Sequence, residues 1–357
     1  MLSKTKKARK NAQLKQLMIR QGSITRAEAV ENIDLDIRTA TSYLERLCRQ
    51  GFCVKEKEEP DGKGRPGLLY RTNFDNMVFV GVLIAQYMVV ECVLCSINGN
   101  ILDRKSWKCN SRQSKLTVFN SILSLINDIA ASYPYKSLGG IGVAVSRWLQ
   151  PPLATYDLYS GLIKFLEKQT NVEVYRNLNI NALAYHQANS SGCKDVIVFH
   201  AGNVIELGII QNGRNIQNYQ EHENALSHLQ VNDKGPSCYC GKKGCLENYV
   251  TNSALLESLS KEIPDAVIGD ITRELPEIKR IRENIVDYMT QACFYLCETY
   301  KPQEIFLIIH KDVSDDIARE CIKEKLKCKV SFIKTEDHAV VKGAALMAAF
   351  MAVKQYK

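Results

Sequence analysis

Apolar positions along the chain change their spacing twice. Between residues 8 and 50 they recur every three or four residues, the period of helices packed on one side. Leu14, Leu17 and Met18 mark a helix over Ala8 to Arg20, which Gln21-Gly22 stops. Ser23 or Thr25 caps a second helix over Arg26 to Asn32, and Asp34-Leu35-Asp36 breaks and recaps the chain. A third helix over Ile37 to Gln50 buries Ala40, Tyr43 or Leu44, and Leu47, leaving Ile37, Arg38, Thr41, Ser42 and Arg46 on other faces. Past Gly51 the pattern is that of strands: Phe52-Cys53-Val54 opens one, Glu58 to Gly67 reads as a hairpin tip, and Leu68-Leu69-Tyr70 returns.

From residue 74 the chain shifts again, to short apolar runs separated by amphipathic stretches. The runs predict strands over 78–85, 88–96, 100–108, 140–145, 172–175, 195–200, 206–211 and 304–307. Helices are predicted over 114–132, 161–168, 181–189, 254–262, 276–300, 313–325 and 340–354. The apolar stretch from Met77 to Cys95 contains Gln86 and Glu91 and is rich in valine, which favours two strands over a membrane span. Strands lead each half and helices separate them, the signature of a two-lobed α/β body. The expected division is 1–73 for an N-terminal head, 74–182 for a first lobe and 183–357 for a second.

Charge sharpens the reading of the head. Residues 1–73 hold sixteen Lys and Arg against nine Asp and Glu, so seven of the eight net positive charges lie there. Two helices joined by a tight turn and followed by a hairpin form a winged helix-turn-helix, and the basic excess is the footprint of a double-stranded DNA partner. Arg38, Thr39, Thr41 and Ser42, early in the third helix, are the expected base and phosphate readers. Lys63 and Arg65 among the glycines of the hairpin are the expected wing contacts.

Thirteen cysteines are scattered mostly singly through apolar segments, and no apolar segment follows the basic residues Met1 to Asn11. Free thiols in a reducing cytoplasm are expected. Three cysteines break this pattern. Cys238, Cys240 and Cys245 fall within eight residues, His228 lies ten residues upstream, and Gly235, Pro236, Gly241 and Gly244 supply tight turns. Three thiolates and one imidazole suit tetrahedral Zn2+, and four protein ligands make the site structural. His200, His222 and His310 read as ordinary packing or surface histidines.

The run Cys238-Tyr-Cys-Gly-Lys-Lys-Gly-Cys-Leu-Glu247 preceded by His228 resembles the signature of the ROK family of repressors and sugar kinases. The winged head followed by Gly64-Arg65-Pro66 and a strand pair resembles its repressor branch, and the resemblance extends to Gly343-Ala344-Ala345. It implies an actin-like, hexokinase-like (ribonuclease H-like) body with two lobes. In kinases of this family an Asp in an Asn-Asp-x-Asn-Ala motif takes the sugar hydroxyl proton, and glycine-rich turns hold the phosphates of ATP.

Those positions depart from the pattern here. The first phosphate turn corresponds to Gly81 to Tyr87, with Leu83 in place of a carboxylate and Ala85, Gln86 and Tyr87 in place of the small turn. The second corresponds to Gly202 to Gly208, with Val204 and Glu206 in place of glycines, and Ile308-Ile309 stands for the adenosine-side glycine pair. The general-base position holds Asn179, whose amide accepts no proton. Of the sugar contacts the resemblance implies, the carboxylate before the zinc histidine is absent at Ala225, and the Asn and Asp of the motif are replaced by Leu178 and Asn179. His228 and Glu247 remain; Asn179, His228 and Glu247 are the effector-binding candidates.

The expectation is a cytoplasmic DNA-binding transcriptional regulator, inactive as a sugar kinase. It would act as a homodimer or tetramer under a small-molecule effector, carbohydrate-related or altered. The competing readings are a sugar kinase with an appended DNA-binding head and a zinc-stabilised protein-interaction scaffold.

Overall fold

The computed structural model describes residues 10–354 apart from 12, 16, 20, 58–67, 75, 86–88, 110–112, 147–155, 217–222, 224, 310 and 334–337, and apart from the side chains of 156–160, 311, 312, 314 and 354. The chain divides into two compact units, Met1–Asn179 with Val340–Lys357, and Ile180–Ala339.

The head begins with helical residues between 10 and 21, then β1 (Ser23–Thr25), α1 (Arg26–Ile33), α2 (Ile37–Arg49), β2 (Cys53–Lys57) and β3 (Leu68–Thr72). Thr25 caps α1 through a reciprocal capping box with Glu28. Asp34 turns left-handed at a φ of 53°, and the Asp36 side chain accepts from the Thr39 N–H at 2.9 Å to start α2. Ser23 caps nothing: it lies in β1, which pairs antiparallel with β3, and β3 pairs in turn with β2. Tyr43 and Leu44 are both buried and both belong to the apolar cluster of the head.

Each body unit holds a five-stranded sheet of the same plan. The first is built from β4 (Met77–Ile84), β5 (Val89–Ser96), β6 (Ile101–Lys108), β7 (Ser137–Val145) and β8 (Val174–Leu178) in the order β6-β5-β4-β7-β8. The second uses β9 (Val196–Ala201), β10 (Ile205–Gln211), β11 (Arg214–Asn215), β12 (Glu304–Ile308) and β13 (Lys329–Phe332) in the order β11-β10-β9-β12-β13. In both, an antiparallel meander is extended by two parallel strands, so the body is duplicated at the level of topology. The apolar stretch after Met77 forms the two strands β4 and β5, and no described helix is long and apolar enough to cross a membrane.

Helices α3 (Lys115–Ala131) and α4 (Tyr156–Thr170) belong to the first unit. The boundary between the units falls at the start of α5 (Asn179–Ser191); α6 (Glu247–Val250), α7 (Asn252–Ser260), α8 (Pro276–Tyr300) and α9 (Lys311–Lys323) follow in the second. The final helix, α10 (Ala339–Lys354), returns to the first unit, whereas a division by chain order assigned it to residues 183–357. Packing explains its place. A Cβ on Gly81 of β4 would stand 2.0 Å from the Val341 carbonyl oxygen, so only glycine lets α10 lie this close to the sheet. The second unit repeats the device: a Cβ on Gly208 of β10 would stand 2.4 Å from the Ile180 carbonyl oxygen of α5.

One apolar cluster joins Leu14, Leu44, Leu47, Phe52 and Tyr70 of the head to Phe79, Val93 and Cys95 of the first sheet and to Val341, Ala345, Ala348 and Val353 of α10. Burying such a continuous surface is what holds the head against its own unit.

Candidate metal centre and nucleic-acid interface

The first turns of α2 present Ile37, Arg38 and Ser42 as exposed side chains. Thr39 and Thr41 are spent locally. The Thr39 hydroxyl donates to Asp36 Oδ2 at 2.6 Å, and the Thr41 hydroxyl donates back to the Ile37 carbonyl at 2.7 Å. The Thr39 hydroxyl and its N–H hold the Asp36 carboxyl below its ordinary range. Near the other end of α2, Glu45 pairs with Lys55 of β2 at 2.5 Å and accepts from the Tyr70 hydroxyl at 3.2 Å. Lys63 and Arg65 lie outside the described residues.

Ile37 is placed off the buried face by the helical spacing, and the sequence assigns it no contact of its own. At 62 % exposure it is a large apolar side chain at the N-terminus of the helix that carries Arg38. An apolar group there suits the methyl of a thymine.

In the second unit His228, Cys238, Cys240 and Cys245 converge, with all four ligand atoms within 4.8 Å of one another. The loop that brings them together is a pair of tight reversals. Ser237 bridges Lys243, Gln230 bridges Cys245, the Gly241 N–H donates to the Cys238 carbonyl at 3.0 Å, and Gly241 and Gly244 take positive φ. Cys240 and Cys245 Sγ lie 3.6 Å apart, and Cys238 Sγ lies 3.4 Å from His228 Nδ1. A tetrahedral zinc with Zn–S near 2.3 Å separates its ligand atoms by roughly 3.5–3.8 Å. The four side chains therefore can hold a metal ion.

Burial pushes the Cys238 thiol up to about 12 and raises that of Cys245, while the Lys242 N–H holds Cys240 below its usual range. Glu247 begins α6 beside the cluster. Its Oε1 accepts from Cys238 Sγ at 3.0 Å and lies 3.2 Å from His228 Nδ1. The Tyr239 ring, 83 % exposed, packs edge-on against His228 at 4.9 Å between centroids.

Described residues of the segments expected to correspond to phosphate turns make contacts within the protein. In β4, Leu83 packs on the apolar cluster that contains Val341; Gln86 and Tyr87 are outside the described residues. Between β9 and β10 the turn at Gly202 is closed. The Gly202 carbonyl accepts from the Asn252 N–H at 2.8 Å, and Asn252 Nδ2 donates to Asn203 Oδ1 at 3.0 Å. The His200 ring covers the turn: a Cβ on Gly202 would stand 2.6 Å from His200 Nε2. His200 is thus more than a packing residue, for its Nδ1 meets Glu206 Oε2 at 2.9 Å. His222 and His310 lie outside the described residues. Ile309, past the end of β12, packs on the core of the second unit. Asn179 opens α5 directly after β8, and its buried amide oxygen has no hydrogen-bond partner among the described residues.

Residues 88–349 match the family model described as ROK family. The chain belongs to the ROK family. Among curated relatives, the DNA-binding transcriptional dual regulator NagC of Escherichia coli K12 is 23 % identical over 257 residues, covering 69 % of this chain and 63 % of NagC. The chain thus spans less than two thirds of that relative's length. The xylose repressor of Bacillus spizizenii is 22 % identical over 319 residues, covering 85 % of this chain and 82 % of the repressor.

Among solved structures, a ROK family transcriptional regulator described as a homolog of the E. coli MLC protein superposes with a TM-score of 0.67 at 16 % identity, covering 98 % of this chain and 99 % of that one. The ROK hexokinase of Thermus thermophilus superposes with a TM-score of 0.64 at 18 % identity, covering 78 % of this chain and 100 % of the hexokinase. These likenesses show that the two-lobed ROK fold is present. The ROK body also carries a carboxylate that motif reasoning did not single out: Glu223 is buried and accepts from the Leu207 N–H at 3.0 Å. A charged residue between polar neighbours gives no signal of burial in the sequence.

Proposed function

We propose that this ROK protein is a cytoplasmic DNA-binding transcriptional regulator that does not phosphorylate sugars. The observation that carries this reading is the pairing of His200 with Glu206 over the Gly202 turn. A carboxylate and an imidazole occupy the place where a kinase of the family needs bare glycine backbone for phosphate. Asn179 at the general-base position supports the same conclusion, since a carboxamide cannot take the hydroxyl proton.

The likeness to a ROK transcriptional regulator over 98 % of the chain supports assigning the DNA contacts to the head. Arg38 and Ser42 would read base edges, with Ile37 against a thymine methyl. The hydroxyls of Thr39 and Thr41, already engaged, would act by shaping the helix. Lys63 and Arg65 would contact the backbone from the wing. The unit of action would be a homodimer or tetramer on a two-fold operator.

His228, Cys238, Cys240 and Cys245 would hold structural zinc, whose chemistry here is to fix the loop, since no ligand position is left open. Asn179, His228 and Glu247 are the proposed effector contacts. With Cys238 as a thiolate, Glu247 loses the proton donor it now accepts from and becomes available to a ligand hydroxyl. Selection of genomic fragments by the purified protein tests the regulator reading. Enrichment of a two-fold sequence is expected, and sugar phosphorylation from ATP without such enrichment would overturn it.

A further inference from the structure

The strongest feature outside these sites is a thiol pair in the head. Cys48 Sγ and Cys53 Sγ stand 3.2 Å apart, one in the last turn of α2 and the other opening β2. The helix end creates this juxtaposition. Gly51, at a φ of 74°, ends α2 in a Schellman turn, with the Phe52 N–H donating to the Leu47 carbonyl and the Gly51 N–H to the Cys48 carbonyl, each at 3.0 Å. The chain reverses around Gly51 and lays the first strand residue beside the last helical turn.

The two thiols differ in access. Cys53 is 2 % exposed, whereas Cys48 is only half-buried, so a small oxidant reaches Cys48 first. Burial, together with the contact with Cys48, raises the Cys53 thiol above its usual range, which keeps its proton on the sulfur in the resting state. Cys92 and Cys95, in β5, are fully buried and sit on the sheet of the body.

We propose that Cys48 and Cys53 are a redox-sensitive dithiol that closes into a disulfide under hydroperoxide and so locks the end of α2 to the start of the wing strand. The Cys48 sulfur attacks one peroxide oxygen, the O–O bond breaks, and Cys48 sulfenic acid and water form. The Cys53 sulfur then attacks the Cys48 sulfur, the S–O bond breaks, and the hydroxyl leaves as water with the Cys53 proton. In sum two thiols and hydrogen peroxide give one disulfide and two waters, the two electrons passing to the peroxide. Forming an S–S bond of about 2.05 Å draws the sulfurs together by roughly 1.1 Å. That movement falls at the junction between the helix bearing Arg38 and Ser42 and the strand leading to the wing, and it weakens DNA binding by misaligning the two. This consequence rests on the reading of the head as the DNA-contacting part; the chemical step does not.

The test uses the full-length, zinc-loaded protein. It is treated with one equivalent of hydrogen peroxide per chain, alkylated with iodoacetamide and mapped by peptide mass spectrometry. The expected result is a Cys48–Cys53 cross-link lighter by about 2 Da than the two thiol peptides, reversed by dithiothreitol, with Cys92 and Cys95 alkylated only after denaturation. Alkylation of Cys48 in the treated protein, or its oxidation beyond the sulfenic state without a cross-link, would overturn the proposal.

A second arm measures affinity for a selected genomic fragment. Oxidation is expected to weaken it about tenfold in the wild type and to leave Cys48→Ser unchanged. A cross-linked protein of unaltered affinity would overturn the effect on DNA binding. Failure of the reduced protein to bind any fragment would instead overturn the reading of the head, with the dithiol still decided by the alkylation pattern. Cys48→Ser is chosen because the half-buried position tolerates a hydroxyl, and Cys53→Ala gives an independent loss of the cross-link.

Discussion

His200 and Glu206 face each other across the β9–β10 hairpin as directly paired residues, with Nδ1 and Oε2 2.9 Å apart. Their contact lies over the Gly202 turn, which under the proposed function stands where a kinase of this family would receive phosphate. Magnesium ATP is therefore expected to shift the melting temperature by less than about 1 °C in a fluorescence thermal-shift measurement. A concentration-dependent shift of several degrees would show that the turn still receives phosphate.

Metal binding at the His228, Cys238, Cys240 and Cys245 cluster would have a pH dependence with a defined sign. In the metal-free fold burial keeps the Cys238 and Cys245 protons in place, and a metal must displace them. Affinity should fall as pH falls, by about tenfold or more per unit, in competition with a chromophoric chelator. About one equivalent of zinc per chain is expected in the purified protein, and Cys245→Ser should retain almost none by elemental analysis.

On DNA, Arg38→Ala is expected to lose about 1–3 kcal/mol and to relax specificity at one base position. Ile37→Ala should lose discrimination at a neighbouring thymine without altering the salt slope, because no charge is removed. Fluorescence anisotropy at several salt concentrations separates the two effects. An Arg38→Ala protein with unchanged affinity and salt slope would show that α2 does not enter the groove.

Acid should loosen the head before neutral-pH stresses do. Hydrogen bonds from Thr39 hold the Asp36 carboxyl below its ordinary value, and the bond from Lys55 does the same for Glu45. Both groups therefore bind protons more readily when unfolded. The stability they contribute is fully present above about pH 5 and is lost as pH falls through their depressed folded values. Circular dichroism melts between pH 7 and pH 3 should show this decline, and Thr39→Val should reduce it by removing the donor 2.6 Å from Asp36 Oδ2.

Helix packing on the two sheets gives a further prediction. Gly208→Ala places a Cβ 2.4 Å from the Ile180 carbonyl oxygen, where backbone must move to admit it. A loss of at least about 2 kcal/mol is expected from urea unfolding. Gly269→Ala, with nothing within 4 Å of the new Cβ, is the matched control.

Much of the fold was legible because its signals are local. The buried face of α2 shows in the spacing of Ala40, Tyr43, Leu44 and Leu47, and the cluster that could hold a metal shows in the short spacing from Cys238 to Cys245. What escaped was set by partners far along the chain. β1 and β13, of three and four residues, exist through pairing with β3 and β12. β8 lies at 174–178 rather than 172–175 because its parallel register is fixed by Ile141 to Val145. α4 starts at Tyr156 rather than Gly161, and α5 starts at Asn179 rather than Asn181. The His200–Glu206 and Cys48–Cys53 contacts likewise depend on a hairpin register and a helix reversal, and neither is visible in residue type alone.

The return of α10 to the first unit has a consequence in time. Val341, Ala345, Ala348 and Val353 belong to the apolar cluster that also contains Leu44 and Phe52 of the head. A nascent chain that has reached only residue 338 holds the whole head and lacks the α10 side chains of the core that supports it. The apolar cluster of the head is therefore complete only after residues 339–354 have been made, so the last helix of the chain is required for the core that begins with Leu14.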